Sequence, residues 1–79
     1  MFNIMKEFPV SDLETSLRDA YRDDSEAWFR VDSRRQVYLM ACMNYGLEQG
    51  LLKEERPIEE EQYTAYRFSF TDGAKERFT

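Results

Sequence analysis

The apolar positions of the chain change period twice, and each change marks a boundary between elements. Residues 1–9 alternate loosely, with Phe2, Ile4, Met5 and Phe8 ahead of Pro9. They read as an extended arm that lays apolar side chains on the body or on a second copy of the chain. Leu13, Leu17, Ala20 and Tyr21 then recur at the spacing of one helix face. Ser11 and Glu14 stand ahead of that stripe at capping-box distance, the hydroxyl taking one free N–H and the carboxylate returning to the cap. Asp23-Asp24-Ser25 ends this helix and caps a short second one through Ala27, Trp28 and Phe29. A further capping box, Ser33 with Gln36, opens the longest expected helix, roughly residues 33–49. Met40, Met43 and Leu47 form its apolar stripe, with Leu39 and Gly46 beside them. Gly50 is a natural stop, because glycine enters the left-handed region without penalty. Gly46 costs about 1 kcal/mol relative to alanine inside a helix, which predicts close packing of another backbone against it.

Past Gly50 the period becomes that of a strand. Leu51 to Glu55 leaves the helix as one strand, residues 56–62 form a loop, and Tyr63 to Phe70 returns antiparallel to it. The returning strand places Tyr66, Phe68 and Phe70 on one face and Ala65, Arg67 and Ser69 on the other. Thr71-Asp72-Gly73 then caps a short helix through Ala74 and Phe78. The expectation is α+β: an arm over residues 1–9 and one domain over residues 10–79.

Two fragments carry a family resemblance. Gly50-Leu51-Leu52-Lys53 resembles the step from recognition helix into wing of winged helix-turn-helix domains. Tyr66 to Phe78, with Thr71-Asp72-Gly73 inside it, resembles the returning strand and closing helix of the same family. The resemblance covers about residues 33–78 and implies three helices, a two-stranded hairpin wing and a short C-terminal helix. It also implies that residues 33–49 are a recognition helix whose N-terminal residues enter the major groove of double-stranded DNA. The chain departs from the family pattern where leucines are usual before the helix-ending glycine, since Gly46 and Met43 stand there.

Composition narrows the function. Seventy-nine residues make one core, and 42% hydrophobic with 15% aromatic residues is enough to fill it. Sixteen acidic and eleven basic residues give a net charge of −5, which disfavours non-specific attraction to nucleic acid or an anionic membrane. Residues 1–29 sum to −4, residues 30–52 to +1 and residues 53–79 to −2, so only the middle of the chain is not acidic. No run approaches the length of a membrane-spanning helix. A single cysteine, Cys42, forms no internal disulfide, and together with the absence of a signal-peptide pattern it implies the cytoplasm.

The chain has no histidine, which removes the commonest general base and metal ligand, and no nucleophile–base pair replaces it. The expectation is therefore no enzyme, no cofactor and no metal. The candidate binding residues are Arg30, Arg34, Arg35, Tyr38 and Tyr45. Arg34, Tyr38, Ala41, Tyr45 and Glu48 recur at helical spacing opposite the methionine stripe. Three readings of that face stand open: base or phosphate contacts, a protein interface, or ordinary solvated charge with tyrosines packed on the arm or a subunit. The expected wing carries Glu54, Glu55, Glu59, Glu60 and Glu61 against Lys53 and Arg56, a balance that repels a phosphate backbone and suits a basic protein surface. The partner is accordingly a protein with a basic surface or double-stranded DNA, with homodimerisation open. In size and charge the chain is similar to small phage-encoded inhibitors such as anti-CRISPR proteins, which block nucleic-acid-binding surfaces.

Overall fold

The computed structural model describes residues 8–55 and 65–79. The first seven residues of the expected arm and the acidic positions Glu59, Glu60 and Glu61 lie outside them. The element order is α1 (Val10–Asp23), β1 (Trp28–Asp32), α2 (Val37–Glu48), β2 (Leu52–Glu55), β3 (Ala65–Phe70) and α3 (Asp72–Phe78). The α+β class holds. The expected order of three helices followed by a two-stranded hairpin does not, because a strand stands between the first two helices.

That strand replaces the short helix expected through Ala27, Trp28 and Phe29. Trp28-Phe29-Arg30-Val31-Asp32 joins aromatic and β-branched residues to period-2 alternation, with Val31 fully buried and Arg30 exposed. Asp24 makes a turn in place of a helix cap: its carboxylate accepts the Glu26 N–H at 3.0 Å and its carbonyl the Ala27 N–H at 3.1 Å.

Neither capping box forms. Pro9 is the N-cap of α1 and accepts the Asp12 N–H at 3.0 Å through its carbonyl, while Ser11 makes no cap bond. The second helix starts at Val37, not Ser33, and at 12 residues is shorter than the 14 of α1. Asp32 outcompetes Ser33 locally. Its carboxylate accepts the Arg34 N–H at 2.9 Å, its carbonyl the Gln36 N–H at 2.9 Å, and the Gln36 side chain returns to its N–H at 2.7 Å. Residues 33–35 are thereby held in a turn.

The C-terminal end of α2 behaves as expected. Gly50 has φ of +74°, and the Leu51 N–H reaches back to the Gly46 carbonyl at 2.8 Å. From there the chain enters a three-stranded antiparallel sheet of order β1-β3-β2. Phe68 sits opposite Phe29 on one side and Glu54 on the other, and Ser69 opposite Trp28 and Lys53. Thr71 caps α3 by accepting the Gly73 N–H at 3.2 Å, and its hydroxyl donates to the Gly50 carbonyl at 2.6 Å.

Alternation gives the sheet two unlike faces. Phe29, Val31, Leu52, Tyr66, Phe68 and Phe70 face the helices and meet Leu13, Leu17, Ala41, Cys42, Met43, Ala74 and Phe78 in one core. Tyr21 and Phe29 both pack edge-on against Phe70, at 5.1 and 5.4 Å between ring centroids, which ties α1 to both strands. The other face presents Trp28 and Arg30 from β1, Arg67 and Ser69 from β3, and Lys53 and Glu55 from β2. Gly46 does lie at a close approach, but to a side chain and not to a backbone: a Cβ there would stand 2.4 Å from Leu52 Cδ1.

Candidate interaction surface

The helix face expected to read DNA is spent in part inside the protein, while Arg34, Tyr38 and Glu48 stay exposed. Ala41 and Tyr45 are buried, and Tyr38 is bound to α1: its hydroxyl lies 2.6 Å from Ser16 Oγ and donates to the Asp12 carbonyl at 3.2 Å. Phe8, beside Pro9, meets the Tyr38 ring edge-on at 5.0 Å. Helix α2 carries few polar residues, so it is buried against α1 on one side and the sheet on another. Met43 is wholly buried, while Met40 and Leu47, expected beside it in the core, are half-buried. They line an open groove of about 400 Å³ with Ser33, Asn44, Glu54, Tyr66 and Phe68.

Tyr45 belongs to a polar knot that joins all three helices. Its hydroxyl donates to Glu14 Oε1 at 2.6 Å, and Arg77 donates to Glu14 through Nε and Nη2, both at 2.8 Å. Glu14, expected to turn back on its own helix terminus, instead spans to α2 and α3. The Tyr45 hydroxyl and the Arg77 guanidinium hold its carboxyl below the ordinary carboxylate range, outweighing the opposing effect of burial. Burial and the adjacent carboxylate push the Tyr45 hydroxyl up. A group with a depressed folded pKa contributes stability that is present above its unfolded value and lost as pH falls through the folded one. The urea midpoint of the wild type should therefore drop between neutral pH and about pH 3 by more than that of Glu14→Gln, which should start lower at neutral pH. Parallel pH profiles for the two proteins would show that the knot contributes nothing to acid sensitivity.

Arg34 and Arg35 are exposed on the turn ahead of α2, with Arg35 Nε 3.9 Å from Asp32 Oδ2. Arg30 lies apart from them on the helix-free sheet face, opposite Arg67. The structure thus separates the five candidates: two on a turn, two packed on α1, one on the sheet. Glu54 and Glu55 are exposed on β2, an edge strand. Cys42 is buried, and desolvation raises its thiol, the condition of an inert core cysteine.

The side chain that sequence reasoning missed is Trp28. It is the chain's one tryptophan, 47% exposed on the helix-free face, and the Arg67 guanidinium lies 4.6 Å from its ring centroid. Beneath it, Ser69 is only 7% exposed and its Oγ has no hydrogen-bond partner. The signal was present in the alternation of residues 28–32, which sets Trp28 and Arg30 on one side of a strand and Phe29 and Val31 on the other. Among the described residues, no helix is long and apolar enough to cross a membrane, and no group of three or more His, Cys, Asp or Glu is placed to hold a metal ion. Comparison with family models, curated proteins and solved structures gives no match, so nothing there identifies a winged-helix family.

Proposed function

We propose that this chain is a non-catalytic cytoplasmic binding module, a regulator or inhibitor that acts by contact with another protein through the helix-free face of its sheet. The observation that carries this reading is Trp28, held half-exposed under a stacked arginine. Tryptophan and arginine are the residues most enriched among those that dominate interface energies, and a rigid pair of them loses little entropy on docking. The net charge of −5 and the exposed acids Asp19, Asp23, Asp24 and Glu26, which end α1 and lead into β1, favour a partner with a basic surface. The winged-helix likeness is kept as part of this proposal for residues 37–78 alone, where helix, glycine stop, hairpin and closing helix follow one another.

Arg34 and Arg35, exposed together on one turn, support the second reading of a regulator bound to double-stranded DNA. One set of measurements separates the two. The full chain is immobilised as wild type, as Trp28→Ala and as the double variant Arg34→Glu/Arg35→Glu, with circular dichroism confirming that each is folded. Protein contact predicts salt-sensitive capture of a basic protein that Trp28→Ala loses and the arginine variant keeps. Retention of duplex DNA at low salt, lost in the arginine variant alone, would overturn it in favour of DNA binding.

A further inference from the structure

The helix-free face reverses the charge of the molecule that carries it. Its charged positions among the described residues are Lys53, Arg30 and Arg67 against Asp32 and Glu55. Asp32 is turned to the 33–35 turn, where it accepts the Arg34 N–H and approaches Arg35, so its charge is engaged away from the centre of the face. Arg67 stands opposite Glu55 in register, yet its guanidinium leans towards β1 and stacks on Trp28. Ser69 lies between these groups, directly across from Trp28 on one strand and Lys53 on the other, two residues from Arg67 on its own strand. A hydroxyl buried there without a partner is an unmet donor beside two cations.

Resting on the protein-contact reading above, we infer that the Trp28–Lys53–Arg67 surface is a docking site for a short acidic segment of the partner protein, which presents a carboxylate flanked by apolar side chains. The carboxylate accepts from Lys53 Nζ and Arg67, which flank Ser69 in register, and an apolar neighbour packs on the indole. Charge-assisted hydrogen bonds from a partly dehydrated face are the strong kind, and they act only at contact. A nucleic acid strand would bring many phosphates into the field of a chain with net charge −5, whereas a segment with one or two carboxylates meets little of that repulsion. The acids ahead of β1 and the cations on the sheet then form a mosaic, and a complementary partner docks on it in one register.

Trp28 is the sole tryptophan, so its fluorescence reports on this face directly. The full chain is titrated with the acetylated, amidated peptide Leu-Glu-Leu-Asp-Leu, with its Gln/Asn analogue, and with a short oligothymidylate. The acidic peptide should bind about tenfold more tightly than the neutral one, and Lys53→Gln or Arg67→Gln should each remove about that factor. Equal or absent binding of the two peptides overturns the inference. Tighter binding of the oligothymidylate overturns it in favour of nucleic acid, and a dimer by light scattering with Trp28 already shielded overturns it in favour of a second copy. If capture of the partner is lost in Trp28→Ala but unchanged in Lys53→Gln and Arg67→Gln, protein contact stands and the carboxylate site falls. If Trp28→Ala leaves capture intact, contact through the helix-free face falls, and the peptide titration still decides the site.

Discussion

Phe68→Ala is expected to lower the folding free energy by about 3–5 kcal/mol, the range for emptying a fully buried phenylalanine site. Phe68 is wholly buried on the central strand, opposite Phe29 in β1 and Glu54 in β2, under Met43 and Leu52 in one apolar cluster. A domain of this size commands about 4–12 kcal/mol in total, so the loss is about a quarter of it or more. Collapse around the gap is restricted because the neighbouring strands pair with β3 on both sides and α2 is tied back through Gly50 and Thr71. The measurement is the urea midpoint followed by far-ultraviolet circular dichroism, with Phe70→Ala as reference. Phe70 is only partly buried, and its loss should cost visibly less. A Phe68→Ala protein with a near-native midpoint would mean that the core is centred elsewhere.

Among the described residues, the parts of the fold that sequence made legible run from Gly50 to Glu55 and from Ala65 to Phe78. Gly50 stops a helix, Leu52–Glu55 leaves it as a strand, Tyr66-Phe68-Phe70 alternate with Arg67-Ser69, and Thr71 caps the last helix; each signal is local, and each appears in the structure. The stretch from Ala27 to Val37 is not legible locally because its strand is specified by a distant partner. Five residues with Trp, Phe and Val are ambiguous until β3 supplies the hydrogen bonds, and β3 lies some forty positions away in register. The capping boxes failed for a related reason. Glu14 has a better acceptor role between Tyr45 and Arg77 than at its own helix terminus, and Asp32 forms a turn that Ser33 would otherwise have capped. A periodic stripe also cannot say which side of a helix faces solvent when three sides are apolar, so Tyr45 reads as exposed though it is buried beside Glu14, whereas Tyr38 is exposed as read, with its hydroxyl on α1.

That reassignment changes which chemistry remains available. With Tyr45 buried and the Tyr38 hydroxyl engaged on α1 while its side chain stays exposed, Trp28 is the exposed aromatic that a cation backs, and the binding question extends from a helix to a sheet face. Arg30 was the one candidate from the middle of the chain that lands on that face.

Gly46→Leu is expected to cost about 3 kcal/mol or more, because α2 and the hairpin meet at this glycine with no spare room. A Cβ at residue 46 would lie 2.4 Å from Leu52 Cδ1, 2.7 Å from Leu52 Cγ and 3.3 Å from Leu17 Cδ1. Rotation of the Leu52 tip relieves only the first contact; the Cγ moves only with the rest of the side chain, and Leu52 is itself buried beside β3. Replacing glycine in a helix gains about 1 kcal/mol of propensity, too little to offset overpacking of about 1–3 kcal/mol, so even Gly46→Ala should be destabilising. The decisive check is a double-mutant cycle with Leu52→Ala, which removes both of the closest atoms. In that background Gly46→Ala should become neutral or stabilising, a coupling of about 2 kcal/mol between the two sites. Additive effects would show that the clash is relieved by a shift of α2 as a whole, and that the contact between Gly46 and Leu52 does not set the spacing of helix and hairpin.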